Sequence, residues 1–296
     1  MRGWRIFACV VLAAALQGLT STCAQTVTGG PGQQKTLGDV VSAASPTALD
    51  RGFADLYNTE FDAAQREFTS WEAVNPDNPL GPVCEAAGFL FSEFNRLGVL
   101  EGQFFTDNKF LEAHKLSPDP TLRERFDRAI AKAQKLAEAR RAKNKQDSDA
   151  LFSLTLANGL LADYAQLIEK RNLASLHYTR LASDWAQQLL AVDPQRYDAL
   201  LATGFTKYVI GSLSAPFRWI LRMGGLPGDK ASGIADLKTV SSQGRYLASF
   251  ARILLAIAYV RDNDKPRAIE LLSGLRQQFP GNSLFDREIQ RLQAQH

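Results

Sequence analysis

SPTALDRGFADLYNTEFDAAQREFTSWEAVNPDN, residues 45–78, describes two short helices and the point where they cross. Phe61, Ala64, Phe68 and Trp71 are separated by three, four and three residues, so they share one helix face. Ala64 is the small member of that face, as expected where another helix passes over it. Gly52 supplies the matching gap on the first helix, because a side chain there would push the pair apart. Pro76 follows Asn75 and ends the second helix: proline has no amide hydrogen to donate and disfavours helical backbone before it.

The same rhythm recurs outward along the chain. Gly52, Gly88, Gly159, Gly204 and Ala256 sit inside helix-patterned segments, each followed by a large apolar residue: Phe53, Phe89, Leu160, Phe205 and Ile257. Ala64 and Ala268 lie twelve residues beyond Gly52 and Ala256. Pro76, Pro194 and Pro280 lie twelve beyond Ala64, Ala182 and Ala268. That spacing belongs to stacked helical hairpins. The second hairpin runs from Pro82, with an insertion from Leu97 to Pro120 before its second helix. The third has long helices over Asp149–Lys170 and Leu173–Val192. The fourth starts at Tyr197 and resumes at Asp229 after an insertion, with Gly233, Leu237 and Val240 on the packed face. The fifth spans Gly244–Gln278, with Asp264 as cap and Pro266 in the first turn. Ser283–Gln293 reads as a capping helix with a polar face, which an open solenoid end requires.

The unit from Ser45 to Asn78 resembles a tetratricopeptide repeat at Gly52, Phe61, Ala64, Phe68 and Pro76. The last unit resembles it at Leu255, Ala256, Tyr259, Ala268, Leu272 and Pro280. The family's usual Trp near the start of each first helix is absent, and three units carry extra residues between their helices. The arrangement is also similar to long-hairpin tetratricopeptide-like proteins of exported bacterial and mitochondrial outer-membrane type. That likeness lies in Phe279-Pro280-Gly281-Asn282 and in the aromatic insertion before Gly228-Asp229-Lys230. The resemblance implies an all-α fold over residues 48–296: a right-handed α-solenoid of about five irregular hairpins whose first helices line a concave groove.

Residues 1–24 read as a signal peptide. Arg2 and Arg5 form a basic start, Ile6–Leu16 an apolar run too short to span a bilayer, and Thr22-Cys23-Ala24 a small-residue cleavage site. The protein is therefore expected outside the cytoplasm, in the periplasm. The alternative is a lipoprotein anchored through Cys23, although Thr20 stands where such sites carry Leu. No later stretch reads as a membrane span. Residues 25–47 are rich in Gly, Gln, Ser and Thr and form a flexible leader. Cys84 is the single cysteine beyond the targeting segment, so no internal disulfide is expected; its apolar flanks mark a buried small hydrophobe. The net charge of +3 owes two units to Arg2 and Arg5, and nothing in it argues for nucleic acid. The basic run from Lys132 to Lys145 reads as the solvated end of a long helix.

Nothing points to catalysis, a metal or a cofactor. His114, His177 and His296 lie far apart, and no strained Gly-x-Ser-x-Gly turn exists. Glu67 and Glu72 read as solvated helix positions. Gly224-Gly225-Leu226-Pro227-Gly228-Asp229-Lys230 lacks the Gly-Lys-Ser/Thr ending of a phosphate loop, and Asp229 suits a helix cap better. Two surfaces remain. The first is the groove, where the small-residue register points Phe89, Glu93, Leu160, Tyr164, Phe205, Tyr208, Ile257 and Arg261 inward, ready for a peptide or a helix. The second is residues 216–223, an amphipathic turn carrying Phe217, Arg218, Trp219 and Arg222. It either docks on a partner or membrane, or folds back and buries Trp219 as a cap; the cap is the expectation. The leading function is an exported, non-catalytic scaffold for a protein or peptide partner, and the alternative is a periplasmic small-molecule binder or transport accessory protein. A closed apolar cavity would favour that alternative.

Overall fold

The computed structural model describes residues 45–101 and 116–294. The signal peptide, most of the leader, His114, His296 and the centre of the first insertion lie outside the described residues. Among the described residues the protein is helical throughout and has no strand. The helices are α1 (Ala48–Tyr57), α2 (Phe61–Val74), α3 (Leu80–Arg96), α4 (Pro120–Lys143), α5 (Ser148–Asp163), α6 (Asn172–Val192), α7 (Leu200–Gly211), α8 (Ala215–Met223), α9 (Lys230–Gln243), α10 (Ala248–Arg261), α11 (Lys265–Gln278) and α12 (Ser283–Ala294). α1 pairs with α2, α3 with α4, α5 with α6, α7 with α9, and α10 with α11, each pair packing on its neighbours.

The helix starts follow from their caps. Thr47 and Asp50 form a reciprocal capping box at α1. Asp119, Asp147, Asp229 and Asp264 each accept from backbone amides at the starts of α4, α5, α9 and α11, and Pro266 occupies the first turn of α11. Ala64 and Phe68 are wholly buried, with Phe61 and Trp71 packed against the same core. Three hairpin turns pass through one left-handed residue each: Thr59, Lys170 and Asn263.

The chain closes on itself. The turn before α10 lies against α1: the Tyr57 hydroxyl donates to the Tyr246 carbonyl at 2.9 Å, and the Phe53 and Tyr246 rings stack 5.1 Å apart. Arg245 forms a two-point ion pair with Asp50. Burial opposes ionisation of Asp50, but hydrogen bonds from Arg245 and Thr47 outweigh it and hold the carboxyl down at about 2. At the turn before α12, Asn282 donates to the Tyr57 carbonyl and the Gly281 amide donates to Asn58. Asp198 completes the join by accepting from the amides of Arg245, Tyr246 and Leu247, which point at it from the start of α10.

Several expectations change. The last hairpin is not an open end closed only by α12, because the first hairpin lies against it. Ser148–Ile168 is long and apolar enough by length and composition to cross a membrane, contrary to the sequence reading; 78% of its most apolar window is buried in the protein. Its last five residues, Tyr164–Ile168, widen into a π-helical turn. Glu72 is not solvated: it is largely covered and pairs with Lys132 of α4. The basic run beginning at Lys132 is solvated at Lys135, Lys143 and Lys145, as expected, while Arg140 pairs with Asp147 and Arg141 lies 4.4 Å over Trp185. The glycines also divide. A Cβ on Gly52 would meet Phe68 at 2.4 Å, and one on Gly204 would meet Asp236 at 2.7 Å, so these mark close crossings. A Cβ on Gly159 meets nothing within 4 Å, so this glycine does not mark one.

Candidate functional site

Gly159 faces empty space because the first helices do not meet at the centre. Their inner faces enclose a partly open cavity of about 300 Å³, at the lower end of small-molecule sites. α1 contributes Phe53 and Leu56; α3, Cys84, Ala87, Phe91 and Phe94; α5, Thr155, Gly159, Leu160 and Asp163; α7, Leu201, Phe205 and Val209; α10, Phe250, Ile253, Ile257 and Val260. Leu226 and Phe285 close further parts of the wall. The lining is apolar apart from a few polar groups.

Leu160, Phe205 and Ile257 are brought together there, as the glycine register places them. The other five groove candidates are not in its wall. Tyr164 is buried against α4, stacked 5.2 Å from Phe126 with the Arg123 guanidinium 4.1 Å over its ring. Tyr208 is buried and its hydroxyl donates to the Ala258 carbonyl. Arg261 is half-buried at the end of α10. In α5, α7 and α10 the positions that do face inward are Asp163, Val209 and Val260, each one residue from the candidate. One residue is about 100° of helix rotation, enough to move a side chain off the face. In α3 the face is turned further, so Phe91 and Phe94 point inward. Phe89 lies under Arg125, and Glu93 is buried, accepting from Arg96 and from the Asp119 amide at 2.7 Å. Glu93 therefore anchors the far end of the first insertion.

Asp163 is the functional candidate that the sequence reading missed. It is the one charged residue in the apolar run from Ala150 to Ile168, which was a readable signal. It sits one turn beyond Gly159, at the entry to the π-helical turn, a feature that often accompanies functional positions. Part of its surface faces the cavity, yet it lies deep in the protein, and depth governs its solvation. Burial alone pushes its carboxyl up to about 7. The other two acids that the described residues place in the wall are satisfied: Asp198 by three backbone amides and Glu288 by Arg291. Burial also raises the Cys84 thiol, as expected of a small hydrophobe rather than a nucleophile. Among the described residues no group of three or more His, Cys, Asp or Glu side chains could hold a metal ion.

The second candidate surface behaves differently from expectation. Trp219 is not a buried cap; it is 64% exposed, beside Ile220 and Met223, which are also exposed. Leu221 is the residue that anchors α8, packing with Ile210, Leu213 and Leu226 while Phe217 covers the same cluster. Arg218 and Arg222 are exposed, Arg218 donating to the Gly211 carbonyl at 3.3 Å. Because α8 is only nine residues long and Pro216 fixes its first turn, its register is set by the short Leu221 contact and leaves the Trp face outward. Trp219→Ala should therefore change unfolding free energy by less than about 0.5 kcal/mol, as for other surface positions. Urea titration measures this, and a cost of several kcal/mol would restore the cap. No protein-family model matches the chain, and no curated protein matches its sequence.

Proposed function

We propose that this protein is a non-catalytic binder of an apolar or amphiphilic small molecule, held inside a curved tetratricopeptide-like solenoid. The observation that carries this reading is the apolar cavity of about 300 Å³ in the place where an open groove was expected. The hairpin order and the contact between first and last units support a solenoid bent until its ends meet. Gly159 supports the binding role further. A glycine within a helix costs about 0.5–1 kcal/mol relative to alanine, and here no neighbouring atom of the described residues requires it. What it provides is room. With the targeting segment read at residues 1–24, the protein becomes an exported, periplasmic carrier.

The test is saturable binding of the apolar fluorophore N-phenyl-1-naphthylamine. The wild type should bind it at one site per chain, and Gly159→Leu, which projects into the cavity, should weaken binding at least tenfold while the protein melts cooperatively. Fluorescence that never saturates, or affinity indifferent to Gly159→Leu, would rule the cavity out as the site. The scaffold reading keeps one supporting observation, the exposed Trp219, Ile220 and Met223 of α8. It predicts partner or membrane association that Trp219→Ala abolishes without touching fluorophore binding.

A further inference from the structure

We propose that Asp163 is the anchor for an ammonium group, so that the cavity's ligand is an amphiphile with one cationic amine end and an aliphatic body. This rests on the reading of the cavity as a ligand site and adds the chemistry of its occupant. Four observations converge. Asp163 makes no hydrogen bond or ion pair with any described residue, although it is only partly exposed and carboxylates withdrawn from solvent are normally paired. Its side chain borders the cavity, and the space over Gly159, one helical turn away, leaves room beside the carboxyl for a ligand's end group. Among the described residues no Lys, Arg or His lines the cavity, and the charged groups they place in its wall are all acidic. Asp198 and Glu288 already have their partners, which leaves Asp163 as the acid with capacity to spare.

These facts rank the ligand classes. A hydrocarbon would leave the carboxyl unsatisfied. A carboxylate-ended amphiphile would meet like charge at close range in a medium of low dielectric, where repulsion is strong. An alcohol could hydrogen-bond but would not compensate the charge. An ammonium does both, and a charge-assisted hydrogen bond is about twice as strong as a neutral one. The apolar remainder of the wall, from Phe53 and Phe91 to Phe205 and Ile257, suits an aliphatic chain.

Calorimetric titration of the intact protein at pH 7.5 with decylamine, decanol and decanoate tests this, because the three share one tail. The wild type should bind decylamine about ten- to hundredfold more tightly than decanol, with decanoate weakest. Asp163→Asn should bring decylamine down to the affinity that the same variant shows for decanol. Decylamine binding should also release protons, so the measured heat should vary with the ionisation enthalpy of the buffer; in Asp163→Asn that variation should vanish. Gly159→Leu should weaken all three ligands together, which separates loss of room from loss of charge. Equal affinity for the three in the wild type, or a decylamine preference that survives Asp163→Asn, overturns the assignment of Asp163 and leaves the cavity as a site. Failure of all three to bind the wild type overturns the cavity reading itself, and the anchor with it.

Discussion

Asp163→Asn should stabilise the ligand-free protein at pH 8, and the gain should disappear near pH 4. Burial pushes this carboxyl from its ordinary 3.8 to about 7. Between those values the folded protein holds a proton that the unfolded chain has released, so stability falls as pH rises. Below pH 4 both states are protonated and the group contributes nothing. Above pH 7 both are ionised and the folded state bears the full penalty, about 4 kcal/mol at 1.36 kcal/mol per unit. Water inside the cavity would screen the charge and reduce that figure. Among the described residues no neighbouring charge contributes to the shift: neither Asp198 and Glu288 across the cavity nor Arg123 and Glu169 beside Tyr164 contributes, and none of those lining the wall is basic. Asparagine removes the titration at nearly constant shape. Urea unfolding of both proteins at pH 4, 6 and 8 should give curves that diverge as pH rises, with the wild type the weaker. Parallel curves would mean that Asp163 is well hydrated, and its reading as a buried, uncompensated acid would have to be abandoned.

The helix pattern was legible because helix periodicity and proline stops are local properties. Phe61, Ala64, Phe68 and Trp71 pack as their spacing requires, and Asp229 and Asp264 cap the helices assigned to them. The ring closure was not legible, since it depends on accumulated angles between hairpins rather than on any one segment. The contacts that make it, Asp50 with Arg245 and Tyr57 with Tyr246, are some 190 residues apart in the chain. The inner face was half legible. The residue after each small position pointed inward in α5, α7 and α10, but the second position missed by one, because helical rotation converts a small register error into a different face. Asp163 was missed for a related reason: attention to aromatic groove residues favoured Tyr164, its immediate neighbour, which the structure turns toward α4. Trp219 was misjudged because burial was inferred from size, and a nine-residue helix held by one leucine does not bury every large side chain it carries.

Gly233→Ala and Gly159→Ala should move stability in opposite directions, although both replace a helical glycine by the best helix former. On propensity alone each change gains about 0.5–1 kcal/mol. At Gly233 the new Cβ would lie 2.4 Å from the Tyr208 amide nitrogen and 2.6 Å from the Gly204 carbonyl oxygen. Those are backbone atoms of α7 and cannot swing aside as a side-chain end could. Gly204 returns the same approach from the other helix, so the two glycines interlock and neither α7 nor α9 can retreat without disturbing the Tyr208 and Leu237 packing behind it. Overpacking of this kind costs about 1–3 kcal/mol, occasionally more, and rigid backbone on the receiving side puts Gly233 at the top of that range. The net expectation is destabilisation by about 2–3 kcal/mol. At Gly159 no atom of the described residues lies within 4 Å of the added methyl, so the propensity gain should appear undiminished, at the cost of cavity volume. Denaturant melts of the two variants decide the matter. A Gly233→Ala protein as stable as the wild type would break the proposed α7–α9 crossing, and a Gly159→Ala protein weakened by more than about 1 kcal/mol would mean that the centre of the molecule is packed rather than empty.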